Sequence, residues 1–223
     1  MKLCSTVTQL SWSRRSIQNM ELPLFPIGEL VLLPGMALPL HVFEPRYREL
    51  LGRVRTSGEA FGIPCVLPSD EKTVDTKNSS LEIEARIARV GTLAHLTHVD
   101  YLPDGTANIV VVGGERYEIV SIDHDKFPYA TAEVRTLPLE PSDPQWVQAM
   151  AKKVLDRFLI KIQPRFGDVS KDVPEDMLLK ASFVAANLRL GGLEGQRILE
   201  SKTLLERFEI LSEFVGVEQR TLN

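Results

Sequence analysis

His95 and His98, three residues apart, are the two side chains here that most invite a metal reading. Residues three apart in a strand point to opposite faces, so this spacing predicts that they share no ion. His41 lies in the run Leu40-His41-Val42-Phe43 and is expected to be a packed or surface histidine. Cys65 sits within an apolar stretch, the setting of a small buried hydrophobe rather than an activated thiolate. Asp123-His124-Asp125 offers acid–base types but has no nucleophile motif beside it, and it has the composition of a turn. Gly113-Gly114 leads into a strand-like segment, whereas a phosphate cradle opens onto a helix. An ATP-binding Gly-x4-Gly-Lys-[Ser/Thr] loop needs a Gly-Lys pair, and the chain has none. We therefore expect no catalytic residues, no metal and no cofactor.

The candidates for contact with another molecule are of a different kind. Met36, Leu38, Phe43 and Tyr47 supply apolar and aromatic groups around Glu44, Arg46 and Arg48. One reading makes this a surface that touches a peptide or partner, with Arg46 as the anchoring charge and Glu44 beside it. The other makes Glu44 a local cap or ion-pair partner and leaves Arg46 and Arg48 facing water.

The pattern around these residues says what must position them. Short apolar runs at 24–26, 31–33 and 36–42 are separated by turn residues, Pro34-Gly35 among them, and read as strands. Prolines 23, 26, 34 and 39 belong at edges, bulges or strand ends. From Pro45 the period changes: Tyr47, Leu50, Leu51 and Val54 recur at helical spacing, Pro45 suits a first turn, and Ser57-Gly58 ends the helix. Residues 61–67 and 88–99 read as strands, with a polar loop over 69–80. Pro103-Asp104-Gly105 predicts a hairpin whose second arm is 108–112, and Gly113-Gly114 predicts a bulge or bend before 116–122. Residues 129–137 alternate as a half-buried strand. Residues 138–144 form a boundary, after which the chain is helical. Trp146, Met150, Val154, Phe158 and Ile162 make an i, i+4 stripe expected to face a bundle core, ended by Pro164. Pro174 is expected to open the next helix and Gly191-Gly192 to close it, with a short helix over 193–199 following. Thr203 and Glu206 then have capping-box spacing before the last helix. The expected organisation is a segment 1–19 outside the fold, a β-rich part over 20–137 and a helical part over 138–223.

Composition bounds the function. Of 223 residues, 43% are hydrophobic and 25% charged, as in an ordinary globular protein. The apolar runs are strand-sized, far below the roughly 20 residues of a membrane helix. Net charge is −4, and residues 1–19 carry Lys2, Arg14 and Arg15 without an acid, so the remainder is at −7. An acidic body argues against a nucleic-acid groove, which relies on clustered cations. Two cysteines, Cys4 and Cys65, form no disulfide framework, which fits a reducing compartment such as the cytoplasm. The basic, Ser/Thr-rich 1–19 resembles an organelle transit segment in composition; a disordered extension, or a start codon assigned too early, is the plainer reading.

Several stretches together resemble one family. Glu21-Leu22-Pro23-Leu24-Phe25-Pro26-Ile27 and the run from Val31 through Pro34-Gly35-Met36 and Phe43-Glu44-Pro45-Arg46-Tyr47 to Leu51 are similar to the opening of the substrate-binding N-terminal domain of Lon proteases. The Phe43-Glu44-Pro45-Arg46-Tyr47 version is most similar to small stand-alone bacterial members and to the Lon-type domains of RING proteins and cereblon. Phe61-Gly62-Ile63, Ile87-Ala88-Arg89-Val90-Gly91-Thr92 and Gly114-Glu115-Arg116-Tyr117 fall at the expected later places, so the resemblance spans about residues 20 to 217. It implies an α+β fold: a PUA-like, twisted antiparallel β-barrel part followed by an α-helical bundle. It also implies binding of unfolded or exposed polypeptide segments or of a protein partner. With no ATPase or peptidase sequence in the chain, the expected protein is a non-catalytic binding module, an adaptor or holdase-like factor. The PUA-like fold alone suggests RNA binding as an alternative, opposed by the acidic body. An enzyme with an unrecognised pocket is the third reading.

Overall fold

A computed structural model describes residues 19–68, 86–188 and 190–216. The elements run β1 (Asn19–Pro23), β2 (Ile27–Gly28), β3 (Ala37–Val42), α1 (Pro45–Ser57), β4 (Phe61–Val66), β5 (Ile87–Tyr101), β6 (Ala107–Asp123), β7 (Thr131–Thr136), α2 (Pro144–Phe166), α3 (Met177–Leu188), α4 (Gly192–Glu200) and α5 (Leu204–Gly216). A 3-10 turn, Ser170–Asp172, joins α2 to α3.

The strands form one mixed sheet in the order β1-β7-β6-β5-β4-β2, with β3 branching onto β6. All pairings are antiparallel except β2 on β4. The barrel expectation needs correcting: the sheet does not close, and a lone parallel bridge from Leu24 to Gly62 links the chain after β1 to β4. The long strand β6 explains the shape. Its first half pairs with β3 and its second half with β7. The change of neighbour falls at the predicted bulge, where Thr92–Ala94 on β5 faces Arg116–Gly113 on β6. A Cβ on Gly113 would lie 2.3 Å from the Leu33 carbonyl oxygen, so only glycine lets the incoming chain pack there.

The predicted 103–105 turn closes the β5–β6 hairpin, with Gly105 at φ 81° and the Leu102 N–H donating to the Thr106 carbonyl at 2.9 Å. Pro39 lies in β3, opposite Val110, in a strand paired on one side only, where a missing N–H is tolerated. Residues 31–33 are not a strand. Leu32 and Leu33 are buried in extended chain whose Leu32 carbonyl accepts from the Thr92 hydroxyl at 2.7 Å rather than from a ladder.

Three cores result. One joins β1, β6 and β7 through Leu22, Tyr117, Ile119 and Val134. A second packs α1 against β3, β4 and the β5–β6 hairpin. The third is the helical bundle, which also takes in Leu33 and Met36.

The bundle departs from expectation in several places. In α2 the buried stripe is Val147, Ala151, Val154, Phe158 and Ile162, and Trp146 is 68% exposed. Each i+4 step overshoots a turn by about 40°, so a stripe extended back from Val154 in fours drifts off the buried face. Pro164 does not end α2, which runs two residues past it to Phe166. Helix α3 starts at Met177 rather than Pro174, with the Asp176 carboxylate accepting from the Leu179 N–H at 2.9 Å. It ends at Leu188, and Gly192 already belongs to α4. The Thr203 hydroxyl accepts from the Glu206 N–H at 3.1 Å, but the Glu206 carboxylate takes the Lys202 N–H instead of closing the box on Thr203. At the other end of the chain, Asn19 already pairs with Arg135 in β1; the rest of the 1–19 segment and the 69–80 loop lie outside the described residues. None of the described helices is long and apolar enough to cross a membrane.

Two buried arginines converge on the end of α4, one from the sheet and one from the bundle. Arg116 of β6 donates to the Leu199 and Ser201 carbonyls at the end of α4. Arg207 of α5, with no exposed surface, donates to the Ser201 hydroxyl at 3.0 Å and the Leu199 carbonyl at 3.3 Å. Burial lowers both guanidinium pKa values, Arg116 to about 10 and Arg207 to about 9, where the neighbouring Arg116 charge adds to the effect.

Candidate functional site

The corner between β3 and α1 is fixed from below by packing. Glu44 is the N-cap residue, extended at φ −66° and ψ 134°, and Pro45 begins the helix. The predicted face of Tyr47, Leu50, Leu51 and Val54 is the buried one, and Gly58 in the left-handed conformation caps the end by donating to the Val54 carbonyl. The Tyr47 ring lies 4.3 Å from that of Phe25, and burial raises its hydroxyl pKa.

Above this base stands a cluster of exposed groups. Phe43 is 61% exposed and its ring stacks 6.1 Å from that of His41. The His41 ring Nδ1 is 2.9 Å from the Asn108 side-chain oxygen on β6. Glu44 does not cap through its side chain; it holds the Arg46 guanidinium at 2.8 Å, and that group lies 4.6 Å from the centre of the Tyr47 ring. Arg48 does not simply face water: it donates to the Gly105 carbonyl at 3.2 Å, tying α1 to the hairpin tip. Seven residues on, the Arg55 guanidinium lies over the half-exposed Tyr101 at 5.3 Å.

Of the six contact candidates, the structure leaves Phe43, Glu44 and Arg46 together at the surface. Met36 is 5% exposed within the helical core and cannot meet a partner; the Pro34-Gly35 turn folds it inward, with its carbonyl accepting from the Gly113 N–H at 2.9 Å. Tyr47 is likewise buried and acts as a support, and Leu38 is partly buried against the α1 core. Sequence reasoning missed the contribution of the hairpin tip, Tyr101 and Gly105. Its turn signal was visible, but the packing of that turn on α1 was not.

The other chemical candidates fall elsewhere. Cys65 is buried, and desolvation raises its thiol pKa, the reverse of what a nucleophile needs. Tyr117 is buried in the sheet with no hydrogen-bond partner for its hydroxyl among the described residues, and burial pushes its pKa up strongly. Asp123 makes a turn, its carboxylate accepting from the Asp125 N–H at 2.8 Å. His95 is half-buried and desolvation lowers its pKa, whereas His98 is exposed. The register shift between Leu96 and His98 breaks the strict alternation on which their opposite-face assignment rested. Among the described residues no three His, Cys, Asp or Glu side chains converge as metal ligands.

The corner thus brings an exposed aromatic, an imidazole stacked on it and a carboxylate–guanidinium pair to one surface. The fold is a mixed sheet followed by a helical bundle. A family model described as the ATP-dependent protease La (LON) substrate-binding domain matches residues 21–216, and the chain belongs to that family. Lon protease 2 of Herpetosiphon aurantiacus is 29% identical over 209 residues, covering 90% of this chain and 24% of that protein. Lon protease of Rhizobium meliloti is 29% identical over 194 residues, covering 84% of this chain and 23% of its own length. The chain thus spans about a quarter of the curated relatives it matches. Among solved structures, the N-terminal domain of Mycobacterium avium complex Lon protease superposes with a TM-score of 0.66 at 17% identity, covering 88% of this chain and 98% of that one. A Lon N-terminal domain protein from Xanthomonas campestris superposes at 0.54 and 22% identity, covering 86% and 96%. At these identities the solved structures establish the fold alone.

Proposed function

We propose that this protein is a non-catalytic module that binds unfolded or exposed polypeptide segments, working in a reducing, cytoplasm-like compartment. The observation that carries the reading is membership of the Lon substrate-binding family over 21–216. In this reading the exposed Phe43 is the anchor for an apolar client side chain, and the Arg46–Glu44 pair is the polar rim. Burying an exposed aromatic against an apolar client group contributes roughly 25 cal/mol per Å² of apolar area removed from water. One such anchor gives weak binding, suited to transient engagement of many sequences. The peptide docks through side-chain contact rather than as an added strand, since Pro39 in β3 removes one of the N–H groups a new strand would use.

The test is a titration of the full chain against a fluorescent, permanently unfolded polypeptide, with the same polypeptide in its native fold as control. Saturable binding of the unfolded form alone is the expected result. No binding of either form over a wide concentration range rejects the proposal.

A further inference from the structure

A second surface lies on the bundle, away from the corner. Helices α4 and α5 and the chain after β4 enclose an open cleft of about 520 Å³, within the roughly 300–1,000 Å³ of ligand-binding clefts. Its apolar lining is Leu67, Leu193 and Ile210, and Leu193 is 56% exposed, unusual for a leucine with a bundle beside it. Its charged lining is four carboxylates, Glu200, Glu206, Glu209 and Glu213, against one cation, Arg197. Arg197 is held by both Glu213 oxygens at 2.6 and 2.8 Å, a clamp that fixes α4 to α5. Glu206 takes the Lys202 N–H and Glu200 accepts from Gln196 at 2.7 Å. Gln196 is 4% exposed and lines the cleft. Its Nε2 also donates to the Val90 carbonyl at 2.9 Å, while its Oε1 has no partner among the described residues. A buried acceptor without a donor has a free-energy incentive to gain one.

We infer that this cleft binds a basic, amphipathic polypeptide segment of a partner. Its apolar side chains would lie on Leu67, Leu193 and Ile210, and a Lys or Arg would reach Glu209 and the Gln196 acceptor. The lining's net negative charge repels nucleic acid and acidic segments. The inference rests on the cleft itself and stands apart from the client-binding corner.

The test uses the full chain and a fluorescent twelve-residue peptide of alternating Lys and Leu, with the Glu and Leu counterpart as control. Expected are saturable binding of the basic peptide, tighter than that of the acidic one and weakening as salt rises, and at least a tenfold loss in Glu209→Lys. Glu209 is exposed, so that variant leaves the fold intact. Leu193→Ser lowers affinity severalfold, and Ile160→Ser, at an exposed position that does not line the cleft, leaves it unchanged. Equal binding of the acidic peptide, indifference to both cleft variants, or loss in Ile160→Ser instead overturns the inference. So does sedimentation showing a dimer that Glu209→Lys dissolves, which would give the cleft to a second copy of the chain.

Discussion

Arginines buried at the end of α4 and arginines at the β3–α1 corner do opposite work. Arg116 and Arg207 are buried against carbonyls and a hydroxyl at 199–201, with lowered pKa values. Arg46 is an exposed group paired with an equally accessible Glu44. Desolvation decides the difference. A buried guanidinium is worth keeping only where removing it would strand the groups it satisfies, whereas an exposed ion pair adds little to folding and stays available to a partner.

The largest effect expected from this contrast is at Arg116. Arg116→Met leaves the buried Leu199 and Ser201 carbonyls without this donor and should destabilise by about 3 kcal/mol in chemical denaturation. Arg207→Met removes the more strongly desolvated charge, whose Nη1 has no partner among the described residues, and should stay within about 1 kcal/mol of the parent. Equal losses in the two variants would break the comparison.

Tyr117→Phe removes a buried hydroxyl with no partner among the described residues and should stabilise by about 1 kcal/mol, read as a higher denaturation midpoint. A loss of stability would mean that the hydroxyl is satisfied after all.

A smaller effect belongs to His95, whose folded pKa burial holds below the ordinary value of about 6.5. Below that pH the unfolded chain binds the proton more readily, so stability falls as pH drops from about 6.5 to the folded pKa. In His95→Gln that part of the slope should vanish; an unchanged slope would assign it to other groups. The smallest effect is at the corner, where Glu44→Gln should change stability by less than about 0.5 kcal/mol. A larger loss would make the corner part of the scaffold.

Much of the β part was legible because its signals are local. The Tyr47, Leu50, Leu51, Val54 face, the 103–105 turn and the bulge at Gly113-Gly114 all lie where period and turn chemistry put them. Failures came where tertiary contacts override local pattern. Trp146 shares a period with the α2 core yet lies off its buried face. Met36 has the type of a contact residue, but its turn folds it inward. Arg116 and Arg207 read as surface charges because a sequence does not show which carbonyls will lie opposite them. At the site, the exposure of Phe43 follows from its place after the last strand residue, but the arrival of Tyr101 and Gly105 beside α1 depends on packing across some 50 residues of chain.

The measurement that bears most directly on the central claim compares two exposed aromatics, one at the corner and one on the bundle. An unfolded, fluorescent polypeptide is titrated with the parent, Phe43→Ser and Trp146→Ser, all shown to have the same denaturation midpoint. At least tenfold weaker binding is expected for Phe43→Ser and parental binding for Trp146→Ser. Parental binding in Phe43→Ser, or an equal loss in both variants, would contradict it.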